Sequence, residues 1–170
     1  MNMRAVILLG AMIACLAAII SPVPAVAQSP EAVRELHDRV AIEELLRDYG
    51  RTIDERDFDA FGALFAEDGE YGSGPALTVG PEAIAEGMRT VFEANALGFA
   101  EPNFHVFFNQ VIKVDGDSAS ASSMSFYVVP GEDGLPEIAL MARYDDDLVR
   151  TGEGWKFKRR RVEGLMPSMR

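Results

Sequence analysis

The chain has two histidines, and only His105 lies in sequence that alternates like a β-strand. Imidazole is the side chain best suited to take and return a proton near neutral pH. Asp54 stands at a joint between two predicted helices. A carboxylate bonded to one imidazole nitrogen fixes the tautomer and favours the imidazolium that forms when the other nitrogen takes a proton. Brought together, His105 would be the base and Asp54 its orienting partner. Phe61, Phe65, Phe107 and Met141 would wall an apolar pocket that excludes water, while Tyr49, Tyr71, Asn109 or Arg160 would steady negative charge on a substrate. That set suits removal of a proton from carbon followed by loss of water or another β leaving group.

Each residue also has a plainer use. His105 could be a bonded core histidine, Asp54 a helix or turn cap, and Tyr49 and Tyr71 core tyrosines with satisfied hydroxyls. Arg160 lies in Lys156-Phe157-Lys158-Arg159-Arg160-Arg161, which reads equally as an edge strand protected by charge. Strict alternation there puts Lys156, Lys158 and Arg160 on one face and Trp155, Phe157, Arg159 and Arg161 on the other. The run Asp145-Asp146-Asp147 alternates across a strand and cannot converge on one ion, so no metal is expected. The sequence has no G-x-S-x-G, no Walker loop, no H-E-x-x-H and no G-x-G-x-x-G after a strand, which points to cofactor-free chemistry or to binding.

The elements that must position these groups begin after a leader. Met1–Arg4 is short and basic, Ala5–Ile20 is apolar, and Ala25-Val26-Ala27 offers small residues for a signal peptidase. Residues 1–27 thus read as a cleaved secretory signal, and residues 28–170 as one secreted domain that a signal of this layout is expected to deliver to the periplasm. The apolar run is too short for a stable membrane anchor. Cys15, the sole cysteine, leaves with the signal, so core burial alone must stabilise the domain. With 27 acidic and 16 basic side chains and a net charge of −11, the protein repels phosphate backbones, and nucleic acid is excluded as a partner.

Ser29 before Pro30 opens a helical region running to residue 66, with a break expected near Gly50–Arg56 and Asp57 capping a second short helix that turns Phe58, Phe61, Leu64 and Phe65 inward. A short strand is expected around Tyr71, and Gly80-Pro81-Glu82 opens a helix to about Asn95. Four strands follow: Phe104–Val114, Ala119–Val129, Ile138–Arg150 and Trp155–Glu163. Helices followed by antiparallel strands make the class α+β. In the first strand, alternation puts His105, Phe107, Asn109 and Val111 on one face and Phe104, Val106, Phe108 and Ile112 on the other. Both faces are largely apolar, so helices are expected over one and a second subunit over the other, giving a homodimer.

Three stretches carry a family resemblance: AIEELLRDYGRTIDERDFDAFGALFAEDGEY (Ala41–Tyr71), HVFFNQVIKVDGDSA (His105–Ala119) and ARYDDDLVRTGEGWKFKRRRVE (Ala142–Glu163). With the order of elements, they resemble the SnoaL-like branch of the nuclear transport factor 2-like superfamily. The resemblance implies a cone-shaped, curved antiparallel sheet wrapped around the N-terminal helices, a pocket open at one end, and dimerisation through the outer sheet face. Among the superfamily's lyases, scytalone dehydratase and hexachlorocyclohexane dehydrochlorinase, Asp54 and His105 match the catalytic pair, and Arg160 matches the dehydrochlorinase's pocket arginine. Tyr49 stands where the dehydrochlorinase has a lysine and Asn103 where it has a cysteine. The implied activity is a lyase or isomerase acting on a small hydrophobic, cyclic or aromatic molecule. A non-catalytic binding protein, or an accessory subunit like the small subunit of ring-hydroxylating dioxygenases, shares the same fold.

Overall fold

A computed structural model describes residues 29–165; the proposed leader, residues 1–27, lies outside them. The elements run α1 (Pro30–Asp54), α2 (Phe58–Gly62), β1 (Phe65–Gly72), β2 (Thr78–Val79), α3 (Pro81–Ala94), β3 (Phe104–Asp115), β4 (Ser118–Pro130), β5 (Pro136–Thr151) and β6 (Gly154–Gly164). Ser29 caps α1 by accepting from the Ala32 N–H at 3.1 Å, and Asp57 caps α2 by accepting from the Ala60 N–H at 3.1 Å, each satisfying a donor that the first helical turn leaves free.

The strands form one curved, unclosed sheet in the order β2-β1-β6-β5-β4-β3. It is antiparallel except where β1 runs parallel to β6, so the sheet is mixed. The parallel pairing also ends α2 earlier than periodicity suggests. The Phe157 N–H donates to the Leu64 carbonyl at 2.9 Å, and Phe65 pairs with Phe157 as the first residue of β1. Phe65 therefore reaches the core from a strand.

Helix α1 crosses the concave face, burying Ile42, Leu45, Leu46, Tyr49 and Ile53 against Ile112, Tyr144, Leu148, Trp155 and Phe157. Each such side chain contributes roughly 1.5–3 kcal/mol through burial, so tertiary packing rather than helix propensity holds α1 in place. The helix does not break at Gly50. A Cβ there would stand 2.9 Å from the Phe107 ring, so the glycine admits a side chain from β3 and the helix continues to Asp54. Among the described residues no helix is long and apolar enough to cross a membrane.

Two bulges overturn strict alternation. In β3 the pairing moves from Phe108↔Met124 to Val111↔Ser122, which inserts one residue, and Asn109 takes a left-handed φ of 53°. Beyond it the faces exchange: Ile112 is buried and Val111 exposed, the reverse of the expectation. In β6 the pairing moves from Leu148↔Phe157 to Asp147↔Arg159. Lys158 is the extra residue, and Arg160 joins Trp155 and Phe157 on the buried face. Bulges re-aim side chains in this way at the cost of one ladder position.

The N-terminal half of α1 is fastened by a charged cluster. Asp38, 5% exposed, accepts from Trp155 Nε1 at 3.3 Å and pairs with Arg150 at 2.6 Å. Arg150 lies over the Trp155 ring at 4.6 Å and also reaches Asp117 at 2.9 Å. The Arg150 hydrogen bond holds the Asp38 carboxyl below the usual carboxylate range. A carboxylate depressed by folding contributes stability above its unfolded pKa of about 3.9 and loses it as pH falls through the lower folded value. Replacing Arg150 by Ala is expected to remove about 1–3 kcal/mol at pH 7 in urea denaturation, with the difference from wild type shrinking below about pH 4.

Candidate active site

Between α1, α3 and the concave sheet face lies a cavity of 630 Å³, walled by Ile53, Met88, Phe92, Leu140 and Val162 and carrying polar groups from Tyr49, Tyr71, Tyr144, Arg56, Asn103 and His105. Its size and its sparse polar groups in an apolar wall suit a small organic molecule of about two or three rings.

Asp54 and His105 meet at the edge of this cavity. The last residue of α1 turns its carboxylate toward the start of β3, where one oxygen lies 2.6 Å from His105 Nδ1 and the other accepts the His105 backbone N–H at 2.9 Å. One carboxylate thus grips both the ring and the backbone of the histidine. The ring is further fixed by Phe107, stacked at 5.8 Å, and by Tyr127 at 4.7 Å. With Nδ1 engaged, Nε2 is the nitrogen left for a substrate. His105 lines both the cavity and an outer groove of 460 Å³, whereas Asp54 lines only that groove, with Arg47, Gly50, Arg51 and Gln110. The two side chains are 12% and 22% exposed. The expected pairing is present, but only the histidine faces the cavity.

Tyr49 and Tyr71 both line the cavity, and their hydroxyls bond each other at 3.1 Å. Burial pushes the Tyr71 phenol up to about 12 and Tyr49 well above its ordinary value, so both are neutral donors at pH 7. One hydroxyl proton occupies the contact between them and the other is available to a group in the cavity. Tyr144, whose hydroxyl bonds Ser125 at 3.2 Å, completes a three-tyrosine wall that alternation in β5 could have revealed.

Three expected substrate contacts lie elsewhere. Phe107 lines the outer groove and packs against Tyr49 and Tyr144 at 5.8 and 5.3 Å, so it supports the site from behind. Asn109 is exposed in the β3 bulge, its amide 3.9 Å from the Met124 sulfur, because the extra residue carries it out of the inward-facing series. Arg160 is wholly buried beneath the cavity wall, its guanidinium 3.9 Å from the Tyr49 ring centroid and 4.3 Å from that of Tyr144. Of the expected apolar wall, Phe61 and Phe65 belong to the core behind Tyr49 and Tyr71, while Met141 pairs with Phe126, one position out of phase with cavity-facing Leu140.

Arg160 pairs with Asp146 at 3.2 Å, both side chains fully buried. Arg160 Nε and Nη2 and Asp146 Oδ1 have no partner. Burial raises the Asp146 carboxyl to about 6 against the opposing pull of Arg160. Asp145 and Asp147 point the other way and are exposed; among the described residues no three acidic, histidine or cysteine side chains form a group able to hold a metal. Beside Tyr144, sequence reasoning passed over Tyr127, readable from β4 alternation, and Arg56, which sits in the α1–α2 turn where spacing carries no signal.

A family model described as the SnoaL-like domain matches residues 34–161. The chain belongs to the SnoaL-like family. An uncharacterized Mycobacterium tuberculosis protein is 33% identical over 132 residues, covering 76% of this chain and 86% of its own length. An NTF2-like protein with a cystatin-like fold from Novosphingobium aromaticivorans is 30% identical with a TM-score of 0.70, over 82% of this chain and 89% of that one. A structure named as a candidate scytalone dehydratase from the same organism is 26% identical with a TM-score of 0.62, over 78% and 87% of the two chains. The fold expected of a SnoaL-like chain is therefore the fold this SnoaL-like domain has.

Removing one member of a buried ion pair leaves the other uncompensated, a loss of about 3–5 kcal/mol. Arg160→Leu should show that loss in denaturant unfolding at pH 7, and Arg160→Leu with Asp146→Leu should recover most of it. Equal loss in single and double variants would mean that the pair is not the cause.

Proposed function

We propose that this SnoaL-like protein is a lyase or isomerase that acts, with no cofactor in the chemical step, on a small hydrophobic or cyclic molecule. The observation that carries the reading is the 2.6 Å contact between Asp54 and His105 Nδ1 at the wall of a 630 Å³ cavity. Asp54 holds Nδ1 as the donor, which leaves the Nε2 lone pair free to take a proton from a substrate carbon. Negative charge developing on the substrate meets the free hydroxyl proton of the Tyr49–Tyr71 pair, in surroundings from which the apolar wall excludes water. The imidazolium then returns its proton, to a departing hydroxyl, which leaves as water, or to a second carbon, which completes an isomerisation. The structural relative named as a candidate scytalone dehydratase supports an elimination.

We also propose export and dimerisation. The basic start, apolar run and Ala25-Val26-Ala27 of the leader support release of a domain beginning at Gln28 into the periplasm. The convex sheet face carries Phe104, Val106 and Ile138 at 46, 43 and 41% exposure, with the Phe108 and Phe126 rings tilted against each other at 4.7 Å. Next to them stand Lys113, Asp145, Asp147, Arg159 and Arg161. An apolar patch beside charges of both signs is self-complementary under a two-fold axis, which favours a second copy as its cover. Val106→Arg should convert the dimer to monomer in sedimentation velocity; a wild-type protein that sediments as a monomer contradicts the proposal.

The test of function begins with thermal-shift screening of residues 28–170 against cyclic hydroxyketones and phenols, followed by turnover assays on each binder. Asp54→Asn and His105→Ala are expected to lower kcat by about 10²–10⁴-fold with ligand affinity largely kept. Parallel loss of affinity and turnover would instead mark a binding protein.

A further inference from the structure

Arg56 joins the two chain segments that carry the proposed dyad. It follows Asp54 by two residues, in the turn between α1 and α2, and its backbone sits at φ 62°. This is left-handed space that non-glycine residues enter at a cost and that is kept when the surroundings fix it. One guanidinium nitrogen, Nη1, donates to the Ile53 carbonyl at 2.8 Å and lies 3.4 Å from the Asp54 carbonyl. The other, Nη2, donates to the side-chain oxygen of Asn103, two residues before His105, and lies 3.8 Å from Glu101. The guanidinium lies 4.1 Å from the Phe92 ring centroid on α3, and its side chain is 27% exposed.

The Ile53 carbonyl accepts the Arg56 backbone N–H at 3.2 Å as well as the guanidinium, so both of its lone pairs are used, and the bond to Asn103 carries the same guanidinium to the chain that leads into β3. A planar fork with fixed donor directions satisfies both sides at once, and Phe92 holds the plane of that fork. Lysine has the charge without the fork.

We infer that Arg56 is a positioning residue: by clamping the Ile53–Asp54 carbonyls to Asn103, it sets the distance between the Asp54 carboxylate and His105 Nδ1. The inference rests on the dyad of the proposed function, but its readout is structural and does not need turnover.

The experiment is NMR of residues 28–170 labelled with 15N-histidine, with His37→Gln assigning the His105 signals. Wild type is expected to show His105 as the Nδ1–H tautomer with a low-field Nδ1–H proton signal. Arg56→Gly suits the left-handed backbone, so it removes the clamp while sparing the turn. It should keep circular dichroism and Tm close to wild type yet lose the low-field signal and populate the Nε2–H tautomer. Arg56→Lys and Asn103→Ala should shift the tautomer in the same direction, and Arg56→Lys gives the reading if the glycine variant does not fold. Retention of the wild-type tautomer and signal in these folded variants overturns the inference. Where a substrate is in hand, kcat should fall about 10–100-fold with KM nearly unchanged, since small misplacements of a catalytic group act on the chemical step. A protein with no turnover whose signal still depends on Arg56 would sink the catalytic reading and leave the clamp standing.

Discussion

The bond between Asp54 and His105 ties the end of α1 to the beginning of β3, and its strength of definition comes from the carboxylate accepting twice from one residue. A single contact to the ring would leave the imidazole free to pivot. The second contact, to the backbone N–H, fixes the carboxylate relative to the strand, so the ring contact inherits the strand's rigidity. The histidine borders both the apolar cavity and the polar outer groove, whereas the aspartate borders the groove alone. A carboxylate that kept its charge wholly inside the cavity would incur a large desolvation cost.

The rest of the concave face serves this geometry through packing. Gly50 lets Phe107 approach α1, and Phe107 then supports both His105 and Tyr49. Arg160 lies under Tyr49, Tyr144 and Phe157. Its positive charge faces the rings whose hydroxyls would receive negative charge from a substrate, and its buried partner Asp146 limits how much of that field reaches the cavity. This buried pair leaves polar atoms unsatisfied, a cost that a purely structural core of hydrophobic residues would avoid.

The order of elements was legible because its signals are local. Ser29-Pro30 and Asp57 are caps, Gly80-Pro81 starts a helix, and the four long strands fall within about two residues of where alternation and turn residues put them. Pairing Asp54 with His105 required the family resemblance as well, since nothing local says that residue 54 meets residue 105. What escaped was set by partners across the sheet. A bulge shows itself only when one strand is laid against another, so Asn109, Val111, Ile112 and Arg160 could not be assigned to faces by counting in twos. Arg160 is instructive: alternation opposed it to Phe157, the resemblance turned it inward, and the extra residue at Lys158 reconciles the two. Arg56 was invisible for another reason, since a turn residue gains its role from three segments that converge only in the folded chain.

The most direct test of the account is a structure of residues 28–170 bound to a non-reacting cyclic ligand found by screening. The account requires the acidic carbon of the bound molecule to lie about 3–3.5 Å from His105 Nε2, with an oxygen of the molecule bonded to Tyr49 or Tyr71. A ligand seated in the cavity with Nε2 turned away from it, or with Asp54 separated from Nδ1, would contradict it.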